Sequence, residues 1–342
     1  MIYTYKSLDK TLCISDCSRF TNCRLISFNQ LDRVCNYYNR NLTDQTNLIQ
    51  SSGNFLYVKP NFKGTLYKKV QAGCQVMSII ALPNEYIATG CSNNIIKIWN
   101  PINWTSILEF NHGSYVLTFA VNQNKYLISG GDSGVMKAWD YKTGTLKNTF
   151  SGHTDSVRVL SSLNNDDIVS GSYDNTVKIW NSTDAVCKLT LNVTSKVYGL
   201  AQLKNGNLIT TSPDGNIRIW NLLTGGLINI TKTSISLIAM VKLENEDILL
   251  GSNLGEMILH NSELKLKKTL SGHSDFIVRL IQLQNGDLAS CSFDNYVKIW
   301  DSTNNTMKLT LKAHTSQVWG LIELPNGFLI SAGKDSQIFI WK

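Results

Sequence analysis

Residues 151–181 read SGHTDSVRVLSSLNNDDIVSGSYDNTVKIWN, and residues 271–301 read SGHSDFIVRLIQLQNGDLASCSFDNYVKIWD. The two stretches share one plan. An alternating apolar run follows the Gly-His pair. Then come an Asn/Asp/Gly turn, a β-rich run, a second turn and a run ending in Ile-Trp. A fourth short run, such as TLKNTF at 145–150, precedes the Gly-His. Alternation with period two marks half-buried strands, and Asn, Asp and Gly supply the turns between them. Each unit therefore predicts four short strands and no helix.

The closing Trp recurs along the chain at Trp99, Trp139, Trp180, Trp220, Trp300 and Trp341. Most gaps are about 40 residues, and the one double gap is filled by MILHN, with His260 at the Trp position. Seven units follow, one of them degenerate. A period of about 40–45 residues with four strands and a GH…W signature resembles the WD-repeat family. The resemblance covers residues 64–342. It implies a seven-bladed WD40 β-propeller, an all-β fold. The last unit stops at its third strand, SQIFIWK, and GTLYKKV (64–70) resembles a fourth strand. By the resemblance, strand 64–70 pairs with the last blade and closes the ring, which removes open sheet edges.

His, Ser and Asp within one unit also suggest a hydrolase triad. The constellation, however, is complete three times: His153, Ser170, Asp174, Trp180; His273, Ser290, Asp294, Trp300; His314, Ser331, Asp335, Trp341. A nucleophile needs one exposed hydroxyl and an oxyanion hole. Here each Ser sits inside apolar alternation. The resemblance implies a structural tetrad, a buried chain of hydrogen bonds from Trp to Ser to His to Asp. Blade four keeps Thr210, Asp214 and Trp220 with Val193 for His. Blade two keeps His112, Ser129 and Trp139 with Ser133 for Asp, and blades one and five have lost most of the set. GxSxG, GxxxxGK[ST] and HExxH are absent from the sequence. No catalytic residue, metal ligand or cofactor is assigned, and the protein is read as no enzyme.

The resemblance also implies a binding face, where the first strand of each blade begins. Carried over position by position, it gives Tyr115, Leu117, Arg158, Tyr173, Lys196, Tyr198, Ile238, Phe276, Phe293, Trp319 and Lys334 as candidate partner-binding residues. Aromatic and Arg side chains are the types that carry interface energy. The expected partner is a protein or peptide, apolar with some acidic character. Alternation sends the neighbours Val157, Val197, Ile277 and Val318 inward.

Residues 1–58 do not fit the blade pattern and 59–63 read as a linker. Four of the eight cysteines, Cys13, Cys17, Cys23 and Cys35, lie in this head. DKTLCISDC suggests a short helix, and CRLISFNQ, VCNYY and GNFLYVK suggest strands. Spacing alone allows three disulfide pairings, and structural zinc or plain thiols compete with them. The pattern C-x3-C-x5-C-x-L-x-S-F-x7-C resembles the PAN/apple module, a small disulfide-type α+β unit. That resemblance implies Cys13–Cys35 and Cys17–Cys23, and protein or glycan binding at cell surfaces. The usual leading strand reads as missing or very short, which suggests a shortened N-terminus. An extracellular adhesion or glycan-binding protein, with the head as reader, is the alternative function.

Composition bounds the remainder. Hydrophobic residues make up 43% and charged residues 17%, as in a globular chain. The net charge of +7 is scattered, with no basic stripe, so no nucleic-acid partner is expected. No run of about 18 apolar residues suggests a transmembrane segment. Compartment stays open: an extracellular or secretory space if a leader lies upstream, the cytoplasm otherwise.

Overall fold

The computed structural model describes residues 62–83, 85–122, 126–304 and 306–342, and the backbone of five strands before them. The chain divides into two compact units, Met1–Phe62 and Lys63–Lys342. In the first, Ile2–Lys6 and Cys23–Asn29 flank Val34–Asn39 in an antiparallel sheet, and Ile49–Ser51 pairs with Asn54–Leu56. The first of these strands, Ile2–Lys6, precedes the four cysteines of the head. The residues of the expected helix, Cys13 and Cys17 among them, and the side chains of Cys23 and Cys35 lie outside the described residues, so both suggested pairings do too.

The second unit is seven four-stranded antiparallel sheets in chain order. Blade three is typical. Val157–Ser162, Ile168–Ser172, Thr176–Trp180 and Cys187–Asn192 follow one another as a meander. The second strand is buried at every residue, because both its faces meet other blades. The fourth is mostly exposed, as an outer edge must be. First strands of successive blades pack side by side, and that of blade seven, Val318–Glu323, packs against that of blade one, Val76–Ala81.

The last blade is completed from the other end of the unit. Leu66–Gln71 pairs antiparallel with Gln337–Trp341, and backbone bonds between Thr65 and Lys342 extend the join. The chain is an all-β, seven-bladed ring over this unit.

The apolar core lies in layers between blades. Val169, Val177, Ile179 and Leu191 of blade three pack with Val197, Leu200, Leu208 and Trp220 of blade four. The ring seam has the same construction: Ile330, Ile338 and Ile340 pack with Val76, Ile87 and Trp99. The wedge shape needs close approach near the axis, and one residue type permits it. A Cβ on Gly171 would stand 2.5 Å from Val197 Cγ1 of the next blade. Gly130 meets Val157 in the same way at 2.9 Å. A side chain at either position would push adjacent blades apart.

Candidate functional site: the tetrads and the channel mouth

The tetrad geometry follows from strand register. Ser170 in the second strand and Trp180 at the end of the third lie on neighbouring strands, and Trp180 Nε1 donates to Ser170 Oγ at 2.8 Å. His153 Nε2 lies 2.7 Å from the same hydroxyl, and Nδ1 lies 2.7 Å from Asp174 Oδ2. A carboxylate can only accept, so Nδ1 carries the hydrogen and Nε2 accepts from Ser170. Asp174 Oδ1 also accepts from Thr176 N and Oγ1, and Oδ2 from Thr154 N, which ties down the turn.

Blade six repeats the chain through His273, Ser290, Asp294 and Trp300, with His contacts of 2.7 Å to both partners. Blade seven does so through His314, Ser331, Asp335 and Trp341 at 2.9 Å. Each of the three Ser residues has no exposed surface. No substrate reaches them, so the arrangement serves buried polar satisfaction, which is worth about 1–3 kcal/mol per group. Burial works to raise Asp174, but hydrogen bonds from Thr176 and His153 hold its carboxyl below the usual range. Burial lowers His153 despite Asp174.

The incomplete blades show what each member does. In blade four, Trp220 still donates to Thr210 at 2.9 Å, but Asp214, lacking a His, binds Arg218 at 2.6 Å. In blade two, with no Asp, the His112 ring presents Nδ1 to Ser129 at 2.9 Å, and its buried Nε2 has no partner. Burial, with Lys137 nearby, takes His112 down to about 4.

Blade one carries a feature the sequence did not foretell. In blade three, Ser172 Oγ donates to the carbonyl of Asp155, and blade six has the same bond from Ser292 to Asp275. The equivalent positions in blade one are Cys91 and Cys74, which form a disulfide. The signal was present: both pairs are 17 residues apart. Cys187 and Cys291 are free.

The candidate partner-binding residues fall into three groups. Tyr115, Lys196, Phe276 and Lys334 are exposed, Tyr115 at 48% and Phe276 at 38%. Leu117, Arg158, Tyr173, Tyr198, Phe293 and Trp319 are half-buried. Ile238 is a correction: only 7% of it is exposed, which leaves a partner almost no surface to meet. In six of the seven blades a register shift interrupts the first two strands, as between Val157 and Val159 or Val318 and Gly320. A β-bulge re-aims the extra residue. Arg158 and Trp319 are such residues, and they meet.

Arg158 lies 4.8 Å from the ring centroid of Trp319 and 5.9 Å from that of Tyr198. Blades three and seven stand on opposite sides of a seven-membered ring, so this contact crosses the channel mouth. Tyr198 and Tyr173 share a 2.6 Å hydroxyl hydrogen bond, and Lys196 Nζ stands 4.5 Å from the Tyr173 ring. On the other side Phe293 packs 4.6 Å from Trp319, and Phe276 stacks on Phe293 at 5.6 Å. The aromatic rings and cations form one band across the face. Val157, Val197, Ile277 and Val318 beneath it have no exposed surface.

Comparison with known proteins agrees with this architecture. The family profile described as WD domain, G-beta repeat matches residues 144–181, 185–221, 264–301 and 305–342. Autophagy-related protein 16 of Arabidopsis thaliana is 28% identical over 112 residues, which span 31% of this chain and 22% of that protein. The crystal structure of the WD40 β-propeller domain of Doa1 superposes with a TM-score of 0.72 at 20% identity, covering 82% of this chain and 96% of that one. The chain carries WD40 repeats closed into a seven-bladed β-propeller.

Proposed function

We propose that this propeller is a non-enzymatic scaffold, and that a protein or peptide partner docks on the face crossed by the aromatic and basic band. WD40 propellers bind protein partners, and the match to a part of autophagy-related protein 16 is in keeping with such a role. The observation that carries the reading is the band itself. Phe276 leaves apolar surface in water beside Phe293, which packs on Trp319, which in turn meets Arg158 and through it Tyr198. Large rings next to cations are the composition of interface hot spots. Rings already held by their neighbours also lose little freedom when a partner arrives.

A photo-reactive phenylalanine analogue placed at Phe276 or Tyr115 tests this in the full chain. One discrete cross-linked partner is expected from both positions and none from Ile228 on the outer edge of blade four, which is 53% exposed. Cross-linking from Ile228 alone would place the partner on the rim instead. The glycan reading rests on the first unit, whose side chains lie outside the described residues, and the propeller adds no support to it.

A further inference from the structure

We propose that the cavity between blades one and two is a binding site for a small apolar carboxylic acid. The hydrocarbon body of the ligand lies against Tyr86, Ile107 and Leu108. Its carboxylate takes the Tyr141 hydroxyl and the Lys142 ammonium.

The cavity arises where blade one departs from the pattern of other blades. In every blade a register shift leaves one extra residue in the outer strand. In blades three, five and six that residue is a lysine. It pairs with the aspartate that closes the turn before the second strand: Lys188 with Asp167 at 2.6 Å, Lys267 with Asp247 at 2.7 Å and Lys308 with Asp287 at 2.8 Å. In blade one the corresponding residues are Ile107 and Tyr86, so neither charge is present. Blade seven has also lost both charges, but its replacements, Tyr67 and Phe328, close on each other with ring centroids 5.0 Å apart. In blade one Tyr86 and Ile107 instead line an open space of about 370 Å³. Leu108 lines it too, as do Tyr141 and Lys142 from the turn after the third strand of blade two. A space of that size falls in the range of small-molecule sites, and about a dozen waters would fill it.

Two features set the chemistry of the ligand. The walls are apolar: Tyr141, at 2% exposure, belongs to a buried cluster on which Tyr86 and Leu108 pack, and Ile107 stays 48% exposed. The polar groups are donors without acceptors. Among the described residues the Tyr141 hydroxyl makes no hydrogen bond and Lys142 makes no ion pair. The counterpart of Tyr141 in blade three is Ser182, whose hydroxyl donates to Asp166 at 3.3 Å. Burial, with Asp140 alongside, raises the Tyr141 hydroxyl, which therefore keeps its hydrogen at neutral pH. Asp140 itself accepts the Lys142 amide at 3.0 Å, and none of the residues lining the space is acidic. A neutral O–H and an ammonium beside an apolar slot suit a carboxylate on a short hydrocarbon. A cationic ligand would meet Lys142 with like charge. The site lies away from the proposed docking face: Tyr86 follows the end of the first strand, and the face lies at its start.

Titration calorimetry of the full chain with phenylacetate and hexanoate, each against its amide, tests the proposal. Both acids are expected to bind at least about fivefold more tightly than phenylacetamide and hexanamide. Lys142→Met should erase that preference. Tyr141→Phe should weaken the acids at least about threefold with an unchanged melting temperature, because its hydroxyl has no partner to lose. Tyr86→Asp with Ile107→Lys rebuilds the ion pair of blades three, five and six, and its acid binding should be lost. Lys142 is exposed, so its variant keeps the test open if that double variant unfolds. Acids and amides that bind alike overturn the proposal. So does acid binding that survives Tyr86→Asp with Ile107→Lys, or no binding of either acid up to about 5 mM. A short peptide ending in Phe with a free carboxylate is the remaining probe. If it binds more tightly than phenylacetate, the cavity reads a chain terminus and the free-acid assignment falls. These variants leave the docking face untouched, so its reading stands or falls separately.

Discussion

Arg158 of blade three and Trp319 of blade seven stack across the channel mouth, 4.8 Å from guanidinium carbon to indole centroid. The two residues are 161 positions apart in sequence, and only ring closure brings them together. The contact ties the structural half of the molecule to the half exposed to partners. Anything that loosens the ring seam between blades seven and one also loosens this pair.

The tetrads are fasteners, and Asp174 is the member whose loss is easiest to read. Asp174→Ala removes the acceptor for His153, Thr176 and the Thr154 amide at once. The expected cost is about 2–3 kcal/mol, measured as a drop in the urea midpoint with an unchanged slope. The Asp214→Ala change in blade four, where no His is present, should cost less. Equal costs would show that the His contact is worth nothing.

Acid should weaken the propeller in a definite order. The pKa of His112 is lowered to about 4 by burial, while the unfolded chain takes up that proton near 6.5. The folded pKa is depressed, so this stability is present above about 6.5 and is lost as pH falls toward 4, on the order of 3 kcal/mol in all. His153 and His260, also lowered by burial, act with the same sign. Asp174, Asp294 and Asp335 lie below the usual carboxylate range through their hydrogen bonds, against the effect of burial. Their contribution is lost only as pH falls below about 4. Urea midpoints between pH 7 and 4 check the first stage.

Blade two offers the converse experiment. Ser133→Asp places a carboxylate where the intact blades have one, and His112 should turn its ring to meet it. The His112 pKa, followed by imidazole NMR, should rise, and the acid sensitivity between pH 6.5 and 4 should shrink. An unchanged titration would mean that the Ser133 turn cannot adopt the conformation of the turn at Asp174.

The Cys74–Cys91 disulfide stands where blades three and six use a Ser-to-carbonyl hydrogen bond. A loop of this size is worth about 3 kcal/mol when closed covalently. Cys91→Ser with Cys74→Ala restores the hydroxyl and its backbone acceptor. It should therefore lose less stability than Cys91→Ala with Cys74→Ala, by about 1 kcal/mol. Thermal melts of the two double variants, without reductant, measure the difference.

Much of this architecture was legible in the repeat. The Ile-Trp endings and Asn/Asp turns gave the blades, because strand alternation and turn chemistry are local properties. The tetrads were legible for a related reason: recurrence three times over argued against a single catalytic site. What was not legible was detail at the start of the first strands, where a bulge inserts one residue and re-aims it. Ile238, at 7% exposure, leaves almost no surface for a partner, while Arg158 and Trp319, at the same place in their own blades, meet across the ring. The Cys74–Cys91 pair escaped notice because neither position belongs to the tetrad on which the repeats were aligned.

The docking face is tested most directly by partner capture with three forms of the full chain matched for melting temperature. These are the wild type, a variant with Phe276→Ala, Trp319→Ala and Tyr198→Ala, and a variant with Leu227→Ser and Ile230→Ser on the exposed outer strand of blade four. Retention by the wild type and the outer-strand variant, with loss of at least about 2 kcal/mol of binding in the face variant, is the predicted result. Undiminished capture by the face variant would contradict it.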